Sequence, residues 1–350
     1  MTRLALAAVV GLSLILAACG DKAPKTAQAP AAAGGELNLY TARHYDADLK
    51  IYEAFTRKTG IKINRIELNP SQLIERMKAE GAGSPADVIL MADAGALWRA
   101  QEAGLLQPVQ SAVLQQRIPE QLREPEGRWF GFARRARVIA YDSAKVKPEE
   151  VASYEALAAP RFKGKVCARA SDNIYNLSTL AAFIEHWGLD RAFNWARGIV
   201  ANMARKPQGG DTDQIKAIGA GACEVALSNS YYYLRLVASD KPEDQALVSR
   251  VKIVFPEQDG LGTLVNISGG GVAANAPNKA NAILFLEFLA TDEVQSLFAS
   301  ANNEYPAVIG VAPPPTVAAY SQFKADPLPV SVYGKRQAEA QATFDRAGWP

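Results

Sequence analysis

Histidine and cysteine are scarce in this chain, and neither sign of charge dominates it. The 350 residues include two His and three Cys, too few for a His-rich zinc site, a multi-cysteine cluster or a disulfide scaffold. Lys and Arg number 38 against 36 Asp and Glu, a formal net charge of +2, which gives no electrostatic basis for binding nucleic acid. The sequence therefore predicts no nucleic-acid partner.

Recognisable catalytic motifs are also missing. The sequence contains no G-x-S-x-G elbow, no H-E-x-x-H pair and no G-x-x-x-x-G-K-[ST] phosphate loop. Its carboxylates are scattered, so spacing alone identifies no acid–base pair. We expect a protein that is not an enzyme; the alternative is a lipid-anchored enzyme whose site the fold assembles from distant residues.

The first residues form a targeting signal. One positive charge, Arg3, precedes an apolar run that ends in Leu16-Ala17-Ala18-Cys19, which is typical of a bacterial lipoprotein signal. We expect a signal peptide over 1–18, lipidation of Cys19, and a flexible Ala/Pro/Gly-rich tether over 19–35. The alternative is an ordinary signal peptide that is cleaved nearby. Both predict a protein outside the cytoplasm; the first predicts a membrane-anchored lipoprotein of the periplasm.

Export changes the interpretation of the remaining cysteines. With Cys19 lipidated, Cys167 and Cys223 remain as an even pair in an oxidising compartment. We expect them to form a disulfide, and two buried free thiols are the alternative.

Short β-rich runs alternate with amphipathic segments after Gly35, which predicts an α/β fold with a mostly parallel sheet. The length suits two domains. We expect a first lobe over 36–137 and 265–350 and a second lobe over 138–264. The strands crossing between them are predicted near 138–141 and 264–267, the first after a turn at Gly131.

Tyrosines cluster where three predicted strands end. His44 and Tyr45 follow strand 37–40, Tyr175 lies in a predicted loop after strand 165–168, and Tyr231 to Tyr233 follow strand 223–227. The carboxyl ends of strands are where α/β sheets place ligand sites. Phenolate oxygen is a hard anionic ligand that suits ferric iron. From the residues alone, stacking on an organic ligand or simple packing remains the alternative.

Several separated segments resemble one known family, the ferric iron-binding proteins that serve ABC importers, a branch of the periplasmic substrate-binding proteins. The resemblance implies a type II periplasmic-binding-protein fold, in which each lobe is a mixed sheet flanked by helices and crossing strands join the lobes. The segments that carry it are 39–46, 84–88, 135–139, 173–176 and 229–232.

The resemblance also implies a ligand set. Tyr175, Tyr231 and Tyr232 match the family's tyrosinate ligands, Tyr45 matches a fourth, and His44 is a ligand in some members. Tyr233 matches no ligand and is expected to pack.

Two arginines are expected beside the ligands. Arg235 stands where some members place an arginine near the metal, and Arg43 is placed to hold an anion or the neighbouring backbone.

The function that the resemblance implies is capture of ferric iron in the cleft and delivery to an ABC transporter permease and its ATPase, by a monomer. Ferrous iron and a bound anion remain open. The alternatives are the same fold with an organic cargo (a polyamine, thiamine or a sugar phosphate) and a structural lipoprotein without a ligand.

Overall fold

A computed structural model of the chain describes residues 1–2, 34–43, 45–46 and 48–350. The predictions for the signal peptide, the lipidated Cys19, most of the tether and His44 lie outside the described residues.

The chain alternates strands and helices, as the sequence predicts. The strands are β1 (Gly35–Thr41), β2 (Ile61–Glu67), β3 (Val88–Met91), β4 (Phe130–Asp142), β5 (Val166–Cys167), β6 (Val225–Asn229), β7 (Val251–Val254), β8 (Val265–Val272) and β9 (Tyr305–Pro306). The helices are α1 (Asp48–Thr59), α2 (Pro70–Glu80), α3 (Ala94–Glu102), α4 (Ala112–Arg117), α5 (Ile174–Trp187), α6 (Leu189–Asn202), α7 (Asp211–Gly219), α8 (Ser230–Val237), α9 (Pro242–Arg250), α10 (Lys279–Leu289), α11 (Asp292–Asn302), α12 (Pro315–Ala318), α13 (Ser331–Lys335) and α14 (Gln337–Ala347).

The first lobe is built on a mixed sheet. Strand β1 pairs in parallel with β2 and β3, while β3 pairs antiparallel with β8, and β8 pairs antiparallel with β4. All four residues of β3 are buried, which is the pattern of a strand covered by helices on both faces. The carboxyl ends of β1 and β3 therefore lie side by side.

The second lobe has its own mixed sheet, and β4 belongs to both. Residues 130–136 of β4 pair with β8 in the first lobe, whereas 137–142 pair antiparallel with β6 and β7. Strand β5 joins β6 in parallel. The backbone N–H of Arg137 donates to the carbonyl of Leu264 at 2.8 Å, next to the start of β8. The two lobes are thus joined by crossing strands, and the predicted fold class is confirmed.

Strand β4 is longer than predicted. Gly131, expected in a turn, lies inside the strand, and the pairing with β8 shifts between Gly131 and Ala133. A Cβ atom at Gly131 would lie 2.8 Å from the carbonyl oxygen of Leu122 and 2.9 Å from Ile267 Cγ2. The glycine therefore permits close packing of the backbone and does not mark a turn.

The glycines of β8 serve the same purpose. A Cβ atom at Gly269 would lie 2.4 Å from the carbonyl oxygen of Phe130, and one at Gly270 would lie 2.5 Å from that of Ile89. Larger residues would force β8 away from the two strands that flank it.

The end of the chain departs from the predicted lobe boundary, which assigns all of 265–350 to the first lobe. Helices α10 and α11 do pack on the first sheet, but α12 contacts α8, α14 packs on α5 and α6, and α13 contacts both α3 and α5. The aromatic rings of Trp195 and Trp349 lie 5.9 Å apart. The apolar residues after β9 are thus buried mainly against the second lobe, so the C-terminal segment spans both lobes.

Two further features bear on the predictions. Cys167 and Cys223 are joined in a disulfide with Cα atoms 5.7 Å apart. None of the helices in the described part of the chain combines the length and the apolar character that crossing a bilayer requires.

Candidate metal centre

Four tyrosines from both lobes meet between the sheets, and we call them the tyrosine cluster: Tyr45, Tyr175, Tyr231 and Tyr232. Tyr45 follows β1 in the first lobe, whereas the other three lie in the second. Tyr45 Oη donates to Tyr231 Oη at 3.2 Å, and the hydroxyls of Tyr175 and Tyr231 lie 3.3 Å apart. The rings of Tyr231 and Tyr232 lie 4.1 Å apart, centroid to centroid.

Three of these side chains lie at the N-terminal ends of helices. Tyr175, predicted in a loop, lies in the first turn of α5, where the side chain of Asn173 caps the helix by accepting from the N–H of Asn176. Tyr231 and Tyr232 lie in the first turn of α8, directly after β6. Successive residues of a helix are about 100° apart around its axis, whereas those of a strand point to opposite faces. Adjacent tyrosines can therefore share one site here.

Tyr233 lies outside the cluster. Its hydroxyl donates to the carbonyl of Val251 at 3.1 Å, and its ring is buried against residues of the second lobe. The helical turn that brings its two neighbours into the cleft directs Tyr233 into the core, where the sequence analysis expects it to pack.

Burial keeps the phenols of Tyr45, Tyr231 and Tyr232 protonated. Tyr231 is fully buried, and Tyr45 and Tyr175 are nearly so. Burial, with the charge of neighbouring phenols, raises the pKa of Tyr45, Tyr231 and Tyr232 above the ordinary tyrosine value. Low polarity disfavours the charged phenolate. A positive ion between the hydroxyls would reverse that balance, since a metal ion stabilises the deprotonated ligand.

Two buried arginines lie beside the cluster in the first lobe, held by one carboxylate. Glu304, which is completely buried, lies 3.2 Å from Arg43 and 3.4 Å from Arg135. The guanidinium of Arg43 lies 4.9 Å from the ring centre of Tyr45, and that of Arg135 lies 5.9 Å from the ring centre of Tyr175. From the sequence, Arg43 was expected to hold an anion or the neighbouring backbone. In the structure its guanidinium forms ion pairs with Glu304 and Asp48 instead.

A third arginine lies on the second-lobe side. The guanidinium of Arg169 lies 5.4 Å from the ring centre of Tyr175, and its Nη1 lies 3.1 Å from Asp211 Oδ1. Asp211 is fully buried and also accepts from Arg137 and from the backbone N–H of Asn229. It thus fixes Arg169 beside the strand end that leads into α8.

Arg235, predicted near the site, lies at its solvent-facing side. Its guanidinium is 5.9 Å from the ring centres of Tyr231 and Tyr232 and 6.0 Å from that of Tyr45. The side chain is exposed, so its charge is screened by solvent more than those of the buried arginines.

Three further residues lie at the site although the sequence did not indicate them: Arg135, Arg169 and Glu304. Glu304 and Arg135 are 169 positions apart in the chain, and no local pattern links them. Arg135 lies in a segment that carries the family resemblance, which was the one available signal.

A cavity of about 590 Å³ adjoins the cluster. Tyr175, Tyr232 and Arg169 line it together with residues of the first lobe, among them Asp93 and Asn69. Among the described residues, no group of three His, Cys, Asp or Glu side chains is placed to hold a metal ion. The phenol oxygens are a hard anionic donor set of the kind that suits a trivalent cation.

Comparison with known proteins identifies the family. Residues 83–325 match the family described as bacterial extracellular solute-binding protein. The chain belongs to this family. Members are extracellular proteins that bind a solute, which agrees with the export predicted from the sequence.

Several similar proteins are named for iron. Iron uptake protein A1 of Synechocystis sp. is 45% identical over 341 residues, which cover 97% of this chain and 94% of the relative. A Trichodesmium protein solved in complex with iron and citrate ligands is 54% identical, with a TM-score of 0.86 over 90% of this chain and 100% of that one. The ferric binding protein from Campylobacter jejuni is 38% identical, with a TM-score of 0.86 over 90% and 100% of the two chains.

Proposed function

We propose that the protein captures ferric iron between its lobes through the phenolate oxygens of Tyr45, Tyr175, Tyr231 and Tyr232. The observation that carries the proposal is the convergence of these four side chains from two lobes. The Tyr231 hydroxyl lies 3.2 Å from that of Tyr45 and 3.3 Å from that of Tyr175, and the Tyr232 ring lies 4.1 Å from the Tyr231 ring. The names of the relatives support it, since they are iron-uptake and ferric-binding proteins. His44, next to Tyr45, is proposed as a further ligand on the sequence resemblance alone.

Binding needs no catalytic step. When ferric iron binds, each coordinating phenol loses its proton. The positive charge of the ion then stabilises the phenolate, which burial alone would disfavour. Four phenolates around a trivalent ion leave one net negative charge. The buried Arg43 and Arg135 and the half-buried Arg169 offset it, because their guanidinium groups lie 4.9 to 5.9 Å from the rings.

Release follows from the same chemistry. Ferrous iron carries one positive charge fewer and is held less strongly by anionic oxygen ligands. We therefore propose ferric iron as the captured form, with one-electron reduction by an external reductant as one route of release at the transporter.

The remaining proposals concern the protein's place in the cell. We propose that Cys19 carries a lipid anchor, that the mature monomer works in the periplasm, and that it delivers iron to an ABC transporter permease and its ATPase. The export signal and membership of an extracellular solute-binding family support these proposals.

One observation favours a second candidate, in which the cargo is organic. The cavity of about 590 Å³ beside Tyr175 and Tyr232 exceeds what a single ion fills, and Arg169 offers a positive charge to an anionic group such as a phosphate. In this case the tyrosines would stack on the cargo, and iron alone would not bind.

Metal analysis of the iron-stripped protein after incubation with ferric iron separates the two. We expect one iron per chain in the parent. Loss of a residue that only hydrogen-bonds to a metal ligand lowers metal affinity by up to about 100-fold. Loss of a ligand itself should cost at least as much, so Tyr232→Phe should weaken iron binding by roughly 100-fold.

Tyr233→Phe is the matched control, since it removes a neighbouring hydroxyl that lies outside the cluster, and it should bind as the parent does. Absence of iron from the parent would contradict the proposal, as would equal affinity in the parent and in Tyr232→Phe.

A further inference from the structure

Asp93 lies at the junction of the two lobes. It follows β3 and caps α3, where its Oδ1 accepts from the N–H of Gly95 at 2.7 Å. The side chain is fully buried. Burial raises the pKa of Asp93 to about 6, so at neutral pH the carboxylate is still ionised and acts as an acceptor.

The same carboxylate reaches across to the second lobe. Ser178 Oγ, on α5, lies 2.9 Å from Asp93 Oδ1 and 3.1 Å from Oδ2. Asn266 Nδ2, on the crossing strand β8, donates to Oδ2 at 2.8 Å. One buried carboxylate thus joins the first lobe, the crossing strand and the second lobe.

Ser178 is well placed to affect the tyrosine cluster. It follows Tyr175 by three residues on α5, and residues with this spacing share a helix face. The Tyr175 hydroxyl lies 3.3 Å from that of Tyr231. A contact that fixes Ser178 against the first lobe therefore also fixes where Tyr175 enters the cleft.

A glycine in α3, Gly95, allows α3 to approach both α14 and the Asp93 carboxylate closely. A Cβ atom at Gly95 would lie 2.5 Å from Gln337 Nε2, at the start of α14, and 3.0 Å from Asp93 Oδ1. The missing side chain leaves room for α3, α14 and the Asp93 carboxylate to meet.

We propose that Asp93 is a positioning residue for iron capture: through Ser178 it holds α5, and with it Tyr175, against the first lobe when the cleft is closed. The proposal rests on the proposed function. A hydrogen bond from Ser178 to a buried carboxylate is stronger than one between neutral groups, so its loss should favour opening of the cleft and escape of the ion.

The test compares iron release from the parent with release from Ser178→Ala and Asp93→Asn. Each protein is loaded with ferric iron and mixed with excess chelator, and the loss of bound iron is followed over time. We expect each variant to release iron about tenfold faster. Asn is a good helix cap, so Asp93→Asn preserves α3. Thr343→Val is the matched control, because it removes a buried hydroxyl that donates within its own helix, to the carbonyl of Glu339.

The double variant shows whether the two residues act through one contact. If they do, combining the substitutions should accelerate release no more than the stronger single change, whereas independent effects would multiply. Release from Ser178→Ala at the parent's rate, or multiplying effects in the double variant, would overturn the proposal. A parent that takes up no iron would instead contradict the proposed function, so the two failures are distinguishable.

Discussion

At the scale of single residues, the main physical problem is that the phenols of Tyr45, Tyr231 and Tyr232 do not ionise at neutral pH without a cation. Burial raises the pKa of Tyr45, Tyr231 and Tyr232, so at neutral pH these side chains are neutral in the iron-free protein. Binding of ferric iron must therefore release protons, and affinity must fall as the solution becomes more acidic.

The pH dependence of iron affinity gives the number of phenols that lose a proton on binding. At neutral pH and below, the logarithm of the apparent iron affinity should rise with pH with a slope of about four, one proton for each ionising phenol. Titration against a competing chelator of known pH dependence measures this slope. Tyr232→Phe should lower it by about one, and Tyr233→Phe should leave it unchanged. A slope that does not differ between the parent and Tyr232→Phe would show that Tyr232 does not ionise on binding.

The sequence was informative about the tyrosines and not about the charges around them. Aromatic residues at three strand ends are visible in the chain as local patterns. The ion pairs that surround them form between positions far apart in sequence, such as Arg43 and Glu304, which are separated by 261 residues. Only the fold brings such residues together, so no periodicity or spacing could have predicted them.

At the scale of secondary-structure elements, the three proposed ligands of the second lobe follow two neighbouring strands. Strand β5 leads into the segment with Tyr175, and β6 leads directly into α8 with Tyr231 and Tyr232. The disulfide ties Cys167 of β5 to Cys223, just before β6, and thus links the supports of both ligand-bearing helices. Backbone pairing between β5 and β6 already holds the strands in register.

The disulfide should therefore contribute more to stability than to iron affinity. In the chain-entropy treatment, closing a loop of 56 residues stabilises the folded state by about 4 kcal/mol. We expect the double variant Cys167→Ser/Cys223→Ser to lose about this much free energy of unfolding in denaturant titrations, and still to bind one iron per chain. Loss of iron binding in a variant that remains folded would show that the disulfide itself positions the ligands.

Most helices and strands could be predicted because their apolar patterns are local. Where they end and which elements they pack against could not be predicted, because both depend on distant parts of the chain. Only the second half of strand β4 was predicted. Glycine is common in turns, and the sequence does not show that β8 packs closely against Gly131. The lobe against which each C-terminal helix packs could not be predicted for a similar reason. The apolar pattern of α10 predicts a buried helix, but it does not indicate which lobe buries the helices that follow.

At the scale of the whole molecule, the proposed ligand set couples iron binding to closure of the two lobes. The hydroxyls of Tyr45 and Tyr231, 186 residues apart, belong to different lobes and lie 3.2 Å from each other. In the proposed mode of binding, iron would therefore add a bond between lobes that are otherwise joined by the crossing strands and by contacts such as those of α13. A ligand that binds only the folded, closed protein stabilises it in proportion to its affinity and concentration.

Thermal unfolding should show this coupling. Ferric iron at about 100 times its dissociation constant should stabilise the parent by about 2.7 kcal/mol, and the melting temperature should rise. Tyr45→Phe and Tyr175→Phe, one from each lobe, should both reduce the rise, because each lobe contributes to the same site. An effect confined to one lobe would indicate that iron binds without bridging the cleft.

The most direct test of tyrosinate coordination is the visible absorption spectrum of the mature, iron-stripped protein during titration with ferric iron. We predict a coloured charge-transfer band that saturates at one iron per chain, is bleached by acid, is weakened or shifted in Tyr231→Phe and is unchanged in Tyr233→Phe. A colourless mixture with no saturation, or an identical band in Tyr231→Phe, would contradict capture of iron by the tyrosine cluster.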